Sequence, residues 1–165
     1  MKLKNLKTLS KQNKELFVDV YREVSQNSRF NESEQYIQHG KTTVKMHAIT
    51  VTLFALNISE KFKIKVNKRE LIRGALLHDY FLYDWHERKL SNLHGFRHPK
   101  RALREVLKDF DLSDREIDII AKHMFPLTYS FPKYKESLLV CISDKICAWG
   151  EIIEDRISYL NLSFK

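Results

Sequence analysis

The chain has 165 residues, with 29 Lys and Arg against 21 Asp and Glu and a formal net charge of +8. Hydrophobic residues make up 43% and there are only four Gly and three Pro. This excludes a disordered or fibrous chain, suits one domain spanning residues 1–165, and favours long helices over many short strands. No apolar run approaches the ~20 residues of a bilayer span and no signal-peptide stretch follows Met1, so a cytoplasmic protein without a membrane partner is expected.

The densest basic run, Lys2, Lys4, Lys7, Lys11 and Lys14, reads as a solvated N-terminal face. The remaining excess charge is dispersed and no Arg-aromatic signature accompanies it, so nucleic acid is not the favoured partner. From Ser10 to about Ser25, Leu16, Phe17, Val20, Tyr21 and Val24 form the stripe of an amphipathic helix. The polar stretch from Gln26 to Glu34 breaks it. Thr42 and Thr43 can cap a second helix running to about Lys61, with Val44, Ala48, Val51, Phe54, Ala55 and Ile58 inward and His47 on the same face. Asn67 and Glu70 have the form of a capping box and open a third helix, whose apolar stripe closes on His78 and Asp79.

Tyr80 to Arg97 is rich in aromatics and histidines, lacks a period and contains Gly95, which predicts a long loop over a functional site. Pro99 suits the first turn of a fourth helix and would put His98 at its N-cap. Ser113 and Glu116 form a second capping box, opening a fifth helix that runs to His123 before Pro126. A last helix from about Tyr134 to Ser158 carries Leu138, Leu139, Ile142, Ile146, Trp149, Ile152 and Ile153, with Asp144 in its middle. Cys141 and Cys147 point to different faces of that helix and read as buried, reduced thiols. No strand, repeat or linker is expected. The result is an all-α bundle of about six helices.

A charged or half-charged side chain on an apolar stripe is costly unless it is paired or metal-bound. His47, His78, Asp79 and His123 each occupy such a position on separate helical segments, and Asp144 sits amid Val140, Cys141, Cys147 and Ala148. Each alone would be an ordinary core histidine or helix-end carboxylate, but the set calls for one shared explanation. Imidazole with carboxylate suits zinc, manganese, iron or cobalt rather than calcium. Ligands scattered over several helices imply a site assembled by the tertiary fold, with positions open to water and substrate.

The order His47, then His78-Asp79 within "LLHD", His98 before Pro99, His123 within "KH" and Asp144 within "SDK" resembles the HD-domain phosphohydrolases over residues 39 to 155, and is similar to small bacterial members of that family. The resemblance implies the family's helical bundle, a first divalent ion on His47, His78, Asp79 and Asp144, and in two-metal members a second on His98 and His123 with Asp79 as the shared carboxylate. Asp79, His98 and His123 are then the catalytic group. The implied reaction is hydrolysis of a phosphate mono- or diester, such as a nucleotide, by metal-activated water.

The chain departs from the family where Ile-Gly-Lys often follows the doublet. Here Tyr80, Phe81 and Leu82 follow, and no Gly-Tyr-Pro is present, so substrate contacts must differ. Lys41, Thr42 and Thr43 at a helix start could receive phosphate, with His39 close by. Trp85 and His86 could stack on a base, and His94, freer in the loop than His98, would face substrate rather than metal. The competing class is a basic nucleotide- or nucleic-acid-binding module whose metal is structural or absent.

Overall fold

The computed structural model describes residues 9–80 and 94–163, without the side chains of residues 28, 39, 94, 95 and 154–163. Among the described residues it is an all-α protein with seven helices and one small hairpin. Helix α1 (Lys11–Ser25) is capped by Ser10, whose hydroxyl accepts the Asn13 N–H, and it buries Phe17, Val20 and Val24. The polar stretch after it is not a simple break. Asn27 accepts N–H groups from Arg29 and Phe30 and starts a five-residue helix, α2 (Ser28–Glu32), which plants Phe30 in the core.

The hairpin was not expected from sequence. Strands β1 (Ile37–His39) and β2 (Thr42–Thr43) pair antiparallel, with Gly40 at φ 56° in the turn, a conformation that costs glycine little. Two strands this short offer no stretch of alternation for a periodicity argument to use.

Helix α3 (Val44–Lys61) begins at Thr43 as expected and buries Val51, Ala55 and Leu56 with His47. Helix α4 (Lys68–Leu77) lies at the centre, against α1 and α3 and against two later helices, α6 (Asp114–Lys122) and α7 (Lys135–Ser163). Its capping box is half formed. Asn67 Oδ1 accepts the Glu70 N–H at 3.2 Å, but the Asn67 N–H donates to Glu136 at 2.7 Å while Glu70 pairs with Arg115. Gly74 lets α4 approach α6 closely, since a Cβ there would lie 2.5 Å from Ile119 Cδ1.

Helix α5 (His94–Val106) starts five residues before Pro99. His98 is therefore inside the helix rather than at its N-cap, and Pro99 sits where the helix forgoes one hydrogen bond, to the Gly95 carbonyl. The Ser113–Glu116 box that opens α6 is complete in both directions. Helix α7 runs further than expected, to Ser163, and of its seven large apolar residues from Leu138 to Ile153 only Leu139 is buried. Its buried side is Val140, Cys141, Ser143, Asp144 and Cys147, and both cysteines are free thiols.

Candidate metal centre

Five helices deliver one or two polar side chains each to a single buried point. His47 comes from α3, His78 and Asp79 from the end of α4, His98 from α5, His123 from the end of α6 and Asp144 from α7. All six are buried, Asp144 being the most accessible at 7%. They fall into two sets with ligand atoms within 4.8 Å of one another: His47, His78, Asp79 and Asp144 in one, Asp79, His98 and His123 in the other. Asp79 belongs to both. Its Oδ2 lies 3.5 Å from His78 Nε2 and 3.8 Å from His47 Nε2, and its Oδ1 lies 2.5 Å from His98 Nε2 and 3.3 Å from His123 Nε2.

Hydrogen bonds on the far side of the His47, His78 and His123 rings aim their nitrogens. His78 Nδ1 donates to the Ala75 carbonyl at 2.7 Å and His123 Nδ1 to the Ile120 carbonyl at 2.8 Å. The two helix ends thus repeat one device: a histidine just past the last turn bonds the carbonyl three residues back. That leaves the neutral ring with a bare Nε2 facing inward. His47 Nδ1 donates instead to Glu151 Oε2 at 2.9 Å, and its Nε2 meets Asp144 Oδ1 at 3.0 Å. A carboxylate behind a metal-facing imidazole holds the ring and raises its basicity.

His78 Nε2 and His123 Nε2 are fully buried with no hydrogen-bond partner, although each faces a carboxylate oxygen of Asp79. A bare imidazole nitrogen and a carboxylate oxygen are both acceptors, and leaving either buried and unmatched costs about 1–3 kcal/mol. A cation between them, a proton or a metal ion, removes the conflict at both positions. The residues therefore fit one or two divalent ions, and their mixed nitrogen and oxygen chemistry fits transition metals better than calcium.

The imidazoles and carboxylates also shift one another's protonation. Burial opposes charge on His47, but the hydrogen-bonded Asp144 and Glu151 carboxylates outweigh it and raise His47 to about 10. Burial likewise opposes charge on His78, and Asp79 and Asp144 raise it. Asp79 is held well below the carboxylate range against its own burial by His78, His98 and His123, and Asp144 is lowered against burial by His47 and His78. His123 moves the other way: burial lowers it against the opposing pull of Asp79, and the neighbouring His78 and His98 add to the fall.

Two members of the site are not singled out by the sequence pattern. Glu151 lies seven residues after Asp144, two helical turns on and on the same face, a spacing that could have found it. Gln38 on β1 donates from Nε2 to Asp79 Oδ2 at 2.5 Å, which ties the hairpin to the centre. Nothing in its local sequence marks it.

The expected substrate contacts are less gathered. His39 lies on β1, Lys41 is exposed in the hairpin turn, and Thr42 and Thr43 are half-buried. Thr43 Oγ1 accepts the Met46 N–H at 3.2 Å and the Val44 N–H donates to the Tyr36 carbonyl at 2.9 Å. These two N–H groups at the helix start thus already have partners. Trp85 and His86 lie outside the described residues, as does the side chain of His94, whose backbone opens α5.

A helical bundle that converges histidines and aspartates from five helices on one buried point defines a helical protein whose buried cluster could hold a metal. The family model of the HD domain matches residues 44–149. The chain belongs to the HD domain family, a superfamily of metal-dependent phosphohydrolases. No curated protein and no solved structure gives a significant match to it.

Proposed function

We propose that this protein hydrolyses a phosphate mono- or diester of a small molecule, a nucleotide or a related compound, using two divalent ions. The observation that carries this reading is the sharing of Asp79 between two buried ligand sets. His47, His78, Asp79 and Asp144 would hold one ion, and His98, His123 and the other oxygen of Asp79 the second. Manganese, iron, cobalt or zinc bound there would supply Lewis acidity, lowering the pKa of water and stabilising charge on the phosphoryl oxygens.

The chain's own part is preorganisation. The Ala75 and Ile120 carbonyls and the Glu151 carboxylate fix three rings with Nε2 inward, and the Gln38 amide holds Oδ2 of Asp79. Little reorganisation then remains when substrate arrives. Lys41 and Thr42 on the hairpin are assigned to the substrate phosphate together with Thr43 and His39, and Trp85, His86 and His94 to the rest of the substrate.

Elemental analysis of freshly purified protein, followed by turnover on phosphomonoesters, nucleotides and phosphodiesters, tests the proposal. Near two ions per chain and chelator-sensitive hydrolysis are expected. Metal-loaded protein that turns over none of the panel but binds DNA or RNA with a steep salt dependence would replace it with the reading of a basic binding module.

A further inference from the structure

Helix α7 has two unlike sides. At ~100° per residue, Val140, Asp144, Cys147 and Glu151 share one side, turned to the core and the metal centre. Leu138, Ile142, Ile146, Trp149, Ile152 and Ile153 fall within an arc of ~120° on the other. These six are 40%, 44%, 45%, 69%, 40% and 50% exposed. Every exposed position of α7 from Leu138 to Ile153 is apolar. Amphipathic helices in a folded domain normally turn such a stripe inward, and here the inward side is already occupied.

From this we infer that α7 is the interface of a two-fold symmetric dimer, in which two copies of the chain pack their α7 helices antiparallel about a point near Ile146. The stripe is close to self-complementary under that operation. Counted from Ile146, its main positions lie eight and four residues before and three and seven after, so reversing the helix sets Leu138 opposite Ile153 and Ile142 opposite Trp149. An isologous contact requires such a match of one surface to itself. Gly150 adds room beside Trp149, since a Cβ there would have no atom within 4 Å.

Charge and area favour the same occupant. A chain of net charge +8 repels its copy wherever basic surfaces meet, and this stripe carries no charge to bring together. Covering it would bury roughly 600 Å² of apolar surface per copy, about 1,200 Å² for the pair, the lower limit of a stable specific interface. On one copy it lies at the upper end of the largest apolar patch of a typical monomer, about 300–600 Å².

Sedimentation equilibrium of the full metal-loaded chain tests the inference. A species of twice the 19.7 kDa chain mass is expected at micromolar concentration. Ile146→Glu, which would place two carboxylates near the two-fold axis, should raise the dissociation constant at least ~10-fold with helix content and metal stoichiometry unchanged. Oxidation of Ile146→Cys should crosslink two chains. Leu138→Cys should crosslink to Ile153→Cys in a mixture of the two variants and not to itself. Monomer at every concentration up to about 100 μM overturns the inference, as does a self-crosslinked Leu138→Cys, or monomer that floats with anionic vesicles, which would assign the stripe to a lipid surface. A monomer that still carries two ions and turns over phosphoesters would remove the dimer and leave the proposed function standing.

Discussion

Asp79 is the residue on which both ligand sets depend, so its loss has a different signature from any other. Asp79→Ala is expected to empty both positions, whereas His98→Ala or His123→Ala should leave the first ion and remove the second with most of the rate, and His94→Ala should keep both. Metal analysis beside circular dichroism reads this directly, and a His94→Ala protein that loses an ion while His98→Ala loses none would exchange their roles. His47 gives a second prediction. Raised to about 10, it carries a proton at neutral pH that an ion on Nε2 must displace. Metal uptake at pH 7 should therefore release at least one proton, and first-site affinity should rise about tenfold per pH unit toward pH 10. Calorimetry in buffers of different ionisation enthalpy would show the release, and uptake without it would remove His47 from the site. Of the six converging side chains, His47, His78, Asp79, His123 and Asp144 were legible in the sequence because a charge on an apolar stripe is costly, and His98 through the family resemblance. Gln38 and Glu151 were not, since each acts through another residue and neither interrupts a pattern.

At the scale of elements, the capping residues were the most readable signals, because Thr43, Asn67 and Ser113 act on N–H groups only three residues away. Misreadings came where distant contacts decide. Glu136 takes the Asn67 N–H that the local box assigned to Glu70, and α5 begins at His94, so Pro99 is accepted inside the helix at the cost of one bond. The hydrophobic period of α7 marks an apolar face but does not say what covers it. The opposite side of that helix yields a prediction of its own. Burial raises Cys141 to about 11 and Cys147 to about 12, which leaves almost no thiolate at neutral pH. Native protein should react with a thiol reagent at least ~100-fold more slowly than unfolded protein. Rapid labelling of both thiols at neutral pH would show that α7 opens away from α3 and α6.

For the whole molecule, a metal held by this cluster would also be a fastening. Its ligands belong to five helices, so ions that bind only the folded chain stabilise the bundle as they load. At a free concentration of 100 times Kd the gain is about 2.7 kcal/mol, and stripping the ions should lower Tm by roughly 5–10 °C in a chain of this length. Differential scanning calorimetry with and without chelator reads the shift, and an unchanged Tm would mean that the helices hold the ligand sets without help. The two ligand sets should also age differently under mutation. His78 and His123 are aimed by main-chain carbonyls, which every residue at positions 75 and 120 supplies whatever its side chain. Their direction is therefore insulated from drift in the surrounding core. His47 is aimed by one side chain 104 positions away in the sequence. In a lineage under relaxed selection, position 151 is where the first ion's site would begin to decay, while both helix-end histidines would still point at an intact Asp79.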